Sequence, residues 1–139
     1  MKKIFLALLI FCLTASYGFC TAMNSYDSYG RKTGSYITHG TTTKSYDSYG
    51  RNTGTIKETS NGYNTYDNYG RKTSTVKKTS NGYAKYDEYG RRIETYRTQS
   101  NGKTSIYDNY GRKTGSYKKD SNGRITKYDS YGRKVGTFK

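Results

Sequence analysis

The stretch YDSYGR, Tyr26 to Arg31, returns at Tyr46 to Arg51 and then four more times as YDNYGR, YDEYGR, YDNYGR and YDSYGR, ending at Arg133. Its glycines, Gly30, Gly50, Gly70, Gly90, Gly111 and Gly132, are separated by 20, 20, 20, 21 and 21 residues. A repeat of that period is one supersecondary unit copied along the chain. Asp-x-Tyr-Gly suits a type I turn in which Asp caps the backbone and Gly takes a positive φ. A second turn signal, Ser-Asn-Gly, recurs at Ser60 to Gly62, Ser80 to Gly82, Ser100 to Gly102 and Ser121 to Gly123. Each repeat is therefore two strands and two turns. The chain reads as an all-β, antiparallel hairpin meander of about 12 strands, in a single layer or a spiral.

Register follows from turn length. A three-residue loop Ser28-Tyr29-Gly30 pairs Asp27 with Arg31 and Tyr26 with Lys32, and sets Gly34 diagonally beside Tyr26. A three-residue loop Ser60-Asn61-Gly62 would place Ile56 opposite Tyr66, and in the longer repeats a two-residue Asn101-Gly102 turn would place Tyr96 opposite Tyr107. On this register one row crosses every strand: Tyr26, Tyr36, Tyr46, Ile56, Tyr66, Val76, Tyr86, Tyr96, Tyr107, Tyr117, Tyr128 and Phe138. The other face, with Asp27 against Arg31, Thr33 and Ser35, is expected to be polar and wet.

The segment MKKIFLALLIFCLTASYGFCTA reads as a secretory signal peptide over residues 1–22. Lys2 and Lys3 precede an apolar run from Ile4 to Leu13, which is short of the roughly 20 residues of a spanning helix. Cleavage is expected after Ala22; Phe19 directly before Cys20 argues against a lipid-modified Cys20. Both cysteines, Cys12 and Cys20, would leave with the signal, so no disulfide is expected in the mature chain. The repeat domain then spans residues 23–139. Removing Lys2 and Lys3 leaves 23 basic residues against 10 acidic ones, a net charge of +13. Such a surface favours polyanionic company. The mature chain has no Leu, Pro or Trp and seven Ile or Val, too few for an ordinary globular core, but 17 tyrosines.

NGRITKYDSYGRKVGTFK, Asn122 to Lys139, and the five repeats before it resemble the YD repeat of Rhs and teneurin-type proteins, roughly G-R-x-T-x-Y-x-Y-D-x-x-G-R. The resemblance covers Tyr26 to Lys139 and implies hairpin repeats in a continuous, spiralling antiparallel sheet of a secreted or surface protein. Tyr before the Gly in every copy is a departure from that pattern. Choline- and glucan-binding hairpin repeats are a looser likeness, set apart by their Trp.

Catalysis is not expected. His39 is the only histidine, it stands in the irregular linker ITHGTTTK, and no nucleophile has a base partner nearby in sequence. The carboxylates Asp27, Asp47, Asp67, Asp87, Asp108 and Asp129 come one per turn, each with an Arg opposite. That suits turn capping better than a calcium site needing six to eight oxygens. No cofactor or metal is therefore expected. The informative residues are the second tyrosines, because a type I turn does not need Tyr at its third position. These rings either fold back over the sheet edge or stand out, each followed two residues later by Arg. The candidate binding set is Tyr29 and Arg31, Tyr49 and Arg51, Tyr69 and Arg71, Tyr89 and Arg91, Tyr110 and Arg112, and Tyr131 and Arg133. Recurring every two strands, about 9.5 Å, such rings could stack on sugars while the arginines grip anionic groups.

The expected product is an exported, non-enzymatic repeat protein, secreted, periplasmic or on the cell surface, that binds polysaccharide or another anionic envelope polymer. Nucleic acid is disfavoured for an exported chain, no membrane span is expected after processing, and self-assembly through sheet edges is open. A structural adhesin stalk or matrix element is the alternative.

Overall fold

A computed structural model describes residues 21–139, and the expected signal peptide lies outside them except for Thr21 and Ala22. The strands are β1 Thr21–Asp27, β2 Lys32–His39, β3 Thr42–Asp47, β4 Asn52–Thr59, β5 Gly62–Asp67, β6 Lys72–Thr79, β7 Gly82–Asp87, β8 Arg92–Thr98, β9 Lys103–Asp108, β10 Lys113–Lys119, β11 Ile125–Asp129 and β12 Lys134–Phe138. Each pairs antiparallel with the next, and β1 pairs with β12, so the meander closes into a twelve-stranded barrel. The seam holds Ser25 opposite Phe138 and Tyr26 opposite Thr137, and Asn24 and Lys139 exchange backbone hydrogen bonds at 2.7 and 3.0 Å. Among the described residues, no helix is long and apolar enough to cross a membrane.

The sheet curls because the repeat carries a bulge. After each Asp-x-Tyr-Gly turn the pairing slips by one: Tyr26 faces Lys32 as expected, but Ser25 faces Gly34, leaving Thr33 over. The same slip follows the other five turns of this type. A bulge adds twist and bends its strand. Six at one register bend the sheet the same way until its edges meet.

The other turns are two-residue and three-residue connections in the reverse of the expected order. In the 20-residue repeats Thr59 pairs with Gly62 and Thr79 with Gly82, so the loops are two residues long. The longer repeats close around Ser100-Asn101-Gly102, with Gln99 N–H donating to Lys103 C=O at 2.8 Å, and around Ser121-Asn122-Gly123, with Asp120 N–H donating to Arg124 C=O at 2.9 Å. The linker around His39 is an ordinary hairpin too, with His39 opposite Thr42.

This one-residue change splits the expected row, because a slip of one moves a side chain to the other face. Tyr36 faces Ser45, Ile56 faces Thr65 and Tyr96 faces Ile106. Tyr36, Ile56, Val76, Tyr96, Tyr117 and Phe138 point inward and are buried. Tyr26, Tyr46, Tyr66, Tyr86, Tyr107 and Tyr128 point outward and are half-buried. Several of the outward rings carry a cation: Lys57 Nζ lies 5.3 Å from the centroid of Tyr66, Lys77 Nζ 5.4 Å from Tyr86 and Lys139 Nζ 4.8 Å from Tyr26. The inner set is completed by Tyr63, Ile106 and Ile125, with Met23 and Tyr83 packed against it. Tyr63 and Tyr66 are three apart on one strand and must face opposite ways, a parity that already distinguishes the two faces.

Candidate functional site

All six Asp-x-Tyr-Gly turns join an odd strand to the following even one, so the meander gathers them on one rim of the barrel. Each is built alike. Asp27 Oδ1 accepts the backbone N–H groups of Tyr29 and Arg31, both at 2.9 Å, and its Oδ2 accepts Arg31 Nε–H at 2.7 Å. Gly30, at φ 81°, completes the turn with its N–H on Asp27 C=O. The expectation that each Asp caps its turn is met directly.

The same carboxylate anchors the arginine, and the arginine lies over the tyrosine. The guanidinium carbon is 5.3 Å from the ring centroid in Tyr29–Arg31, Tyr69–Arg71 and Tyr131–Arg133, and 5.2 Å in Tyr49–Arg51, Tyr89–Arg91 and Tyr110–Arg112. The six rings are 76% to 84% exposed, so they stand out from the rim instead of covering it. The arginine side chains are three-quarters exposed. The Asp bond uses one of a guanidinium's five N–H donors. All six carboxyls sit below the ordinary value of 3.8. For Asp27, Asp47 and Asp129 the strongest influence is the backbone N–H of the arginine. For Asp67, Asp87 and Asp108 the strongest is an upward push from desolvation, which the arginine and backbone bonds together outweigh.

Inside this rim the barrel opens into a cavity of about 770 Å³. Its existence follows from side-chain size. The inward positions nearest the rim are mostly Ser, Thr or Gly, among them Ser25, Gly34, Thr65, Ser74 and Gly136, whereas the tyrosines and branched aliphatics fill the layer below. Gly34, Gly54 and Gly115 are required there: a Cβ would stand 2.5 to 2.6 Å from the carbonyl oxygen of a neighbouring strand. At the first three bulges the residue left over, Thr33, Thr53 or Thr73, lines the mouth and joins a hydroxyl pair. Thr33 donates to Ser25 at 2.9 Å, Ser45 and Thr53 are 2.7 Å apart, and Thr65 and Thr73 are 2.9 Å apart. The remaining wall holds Lys85, Ile93, Glu94, Lys127 and Val135, over a floor that includes Tyr36 and Phe138. Glu94 is 5% exposed and accepts a hydrogen bond from Tyr96 OH at 2.5 Å. Lys127 Nζ lies 5.8 Å from the centroid of buried Tyr117.

The sequence reading placed the tyrosine–arginine set at the turns and missed the cavity. The signal was present as departures from repetition. The residue before each Tyr-Asp is Ser25, Ser45, Thr65, Lys85, Ile106 and Lys127, and the fourth after each Gly is Gly34, Gly54, Ser74, Glu94, Gly115 and Gly136. Three ionisable side chains interrupt columns of otherwise small or apolar residues. Their meaning needs the bulge, which puts both columns inside. The polar face expected to hold Thr33 with Ser35 is likewise divided, Thr33 to the cavity and Ser35 outward opposite Tyr46. No protein-family model matches this chain, and no curated protein matches it.

Proposed function

We propose that this chain is an exported, non-enzymatic binding module for polysaccharide or another polyanionic polymer of the cell envelope, held by the crown of tyrosine–arginine pairs. The observation that carries the reading is the sixfold copy of one exposed unit, in which Asp fixes an arginine over a tyrosine that the turn does not require. An exposed ring with a cation beside it fits the face of a sugar and an anionic substituent at once. One such pair binds weakly, but six fixed on one rim meet a repeating polymer at high effective concentration. The net charge of the repeat domain supports a polyanionic partner, and the resemblance to YD-repeat proteins supports a secreted or surface location. The copies lie on a circle, so a chain would cross or wrap the rim instead of running along a straight edge. Closure also bears on the rival reading of a stalk or fibre. With β1 and β12 paired to each other, the described residues offer no sheet edge through which copies could add strands.

The test is retention of the purified chain on an acidic polysaccharide across a salt series. Tyr29, Tyr49, Tyr69, Tyr89, Tyr110 and Tyr131 are replaced together by Ser, which leaves every inward ring in place. Retention should fall, and should fall with salt in the parent. Equal retention of a folded variant would sink the proposal, and stronger retention on nucleic acid than on polysaccharide would reassign the partner.

A further inference from the structure

The crown absorbs the turn residues and leaves the cavity beneath it without a role. Its volume, about 770 Å³, lies in the range of small-molecule sites. The wall is divided by chemistry. The arc from β1 to β6 presents paired hydroxyls, Thr33 with Ser25, Ser45 with Thr53 and Thr65 with Thr73. Each hydroxyl pair keeps acceptor lone pairs for a further partner. The arc from β7 to β12 presents Lys85, Glu94 and Lys127. Two ammonium groups against one carboxylate leave a surplus of one positive charge, and the rim carboxylates Asp27, Asp47 and Asp67 are each matched by their own arginine. Tyr36 and Phe138 give the floor aromatic surface, their ring centroids 6.2 Å apart.

Charged side chains directed into a barrel interior are costly without a purpose. Here they replace the small or apolar residues that the same columns hold in other repeats, so the fold does not demand them. A ligand matched to this wall has several hydroxyls for one arc, a single negative charge for the other and a ring face for the floor. We propose that the barrel mouth binds one monoanionic sugar of the uronic-acid type, either free or as the terminal unit of a chain whose following units lie on the crown. The chain-end form rests on the polysaccharide reading above; binding of the free sugar does not.

The experiment is calorimetric titration of the full chain with sodium glucuronate, glucose and sodium acetate, then with glucuronate oligosaccharides of free or blocked ends. Glucuronate should bind, with glucose and acetate each weaker by about tenfold or more, since each lacks half of the match. Lys127→Met, which keeps an unbranched stem but removes the charge, should weaken glucuronate by about tenfold and leave glucose unchanged. Thr65→Phe should fill the mouth and abolish both, with the melting curve reporting whether the barrel is intact. If that variant unfolds, Lys127→Met alone decides. Absence of glucuronate binding at millimolar concentration, or binding indifferent to Lys127→Met, overturns the proposal. Preference for free-ended oligosaccharides assigns the chain end, and equal binding of blocked ends assigns the free sugar. The sextuple Tyr→Ser variant separates the two sites. Failure of the cavity would leave polymer retention intact, and failure of the crown would leave glucuronate binding intact.

Discussion

Replacing Tyr96 by Ala removes a ring that is 1% exposed and packed in the inner layer of the barrel. Roughly 150 Å² of buried surface at about 25 cal/mol per Å² gives a loss of about 4 kcal/mol, within the range of about 3–5 kcal/mol seen for aromatic truncation in cores. The hydroxyl adds a separable part. Tyr96→Phe keeps the ring but strips the donor that reaches Glu94 at 2.5 Å, so a carboxylate that is 5% exposed loses one of its hydrogen bonds. That change should cost about 1–3 kcal/mol. Tyr86→Ala, on an outward ring with Lys77 over it, should cost about 1 kcal/mol. Tyr89→Ala, at a rim ring 76% exposed, should stay below about 0.5 kcal/mol. Urea melts of the four variants, compared at constant denaturant slope, measure the series directly. Equal losses for Tyr86→Ala and Tyr96→Ala would refute the division of the tyrosines between two faces, since Tyr96 is buried inside the barrel and Tyr86 is half-buried on its outside.

Gly62→Ala should prevent folding or cost several times more than Gly90→Ala, because a Cβ at Gly62 would stand 1.9 Å from Val76 O, whereas nothing lies within 4 Å of one at Gly90 and only its φ of 81° is strained; similar melting midpoints would contradict the inter-strand approach. Deleting residues 134–139 removes β12, which closes the barrel on β1 and supplies Phe138 to the core. The truncated chain should lose its cooperative melt or associate through the freed edges, and a monomer with the parent's midpoint would argue against closure. Burial pushes the Tyr36 phenol up to about 12, and Tyr96 and Tyr117 are raised as well, by burial first and the Glu94 charge second. A raised phenol contributes its full stability below the ordinary value of 10.0 and loses it as pH climbs through the raised one. Alkaline unfolding should therefore set in between pH 10 and about 12; phenolate absorbance showing complete ionisation near pH 10 with the fold intact would count against the buried set. Intact mass of exported material should correspond to a start at Met23, and a mass that retains Cys12 would rule out the expected processing.

The hairpin meander was legible because its determinants are local. Asp27 to Arg31 contains the whole turn: the cap, the positive-φ glycine and the arginine that returns to the carboxylate. Six copies at a 20- or 21-residue period then imply twelve strands without any long-range knowledge. Tyr29 and its equivalents were legible as a turn position spent on a side chain the turn does not need, but whether the rings fold back over the edge or stand out was decided only by the structure, where they are 76% to 84% exposed. The assignment of faces was not legible. It depends on parity, and parity changed at two places that local turn preference did not resolve. One was the bulge at Thr33. The other was the exchange of two- and three-residue loops between the short and long repeats, for which Asp120 to Arg124, written DSNGR beside the DSYGR of Asp129 to Arg133, was the available clue. Closure belongs to the tertiary structure alone. It requires residues as distant as Ser25 and Phe138 to pair, and that depends on the summed curvature of all six bulged hairpins. The cavity depends on it too, since Lys85, Glu94 and Lys127 stand on separate strands and share one interior only because the sheet returns to its own first strand.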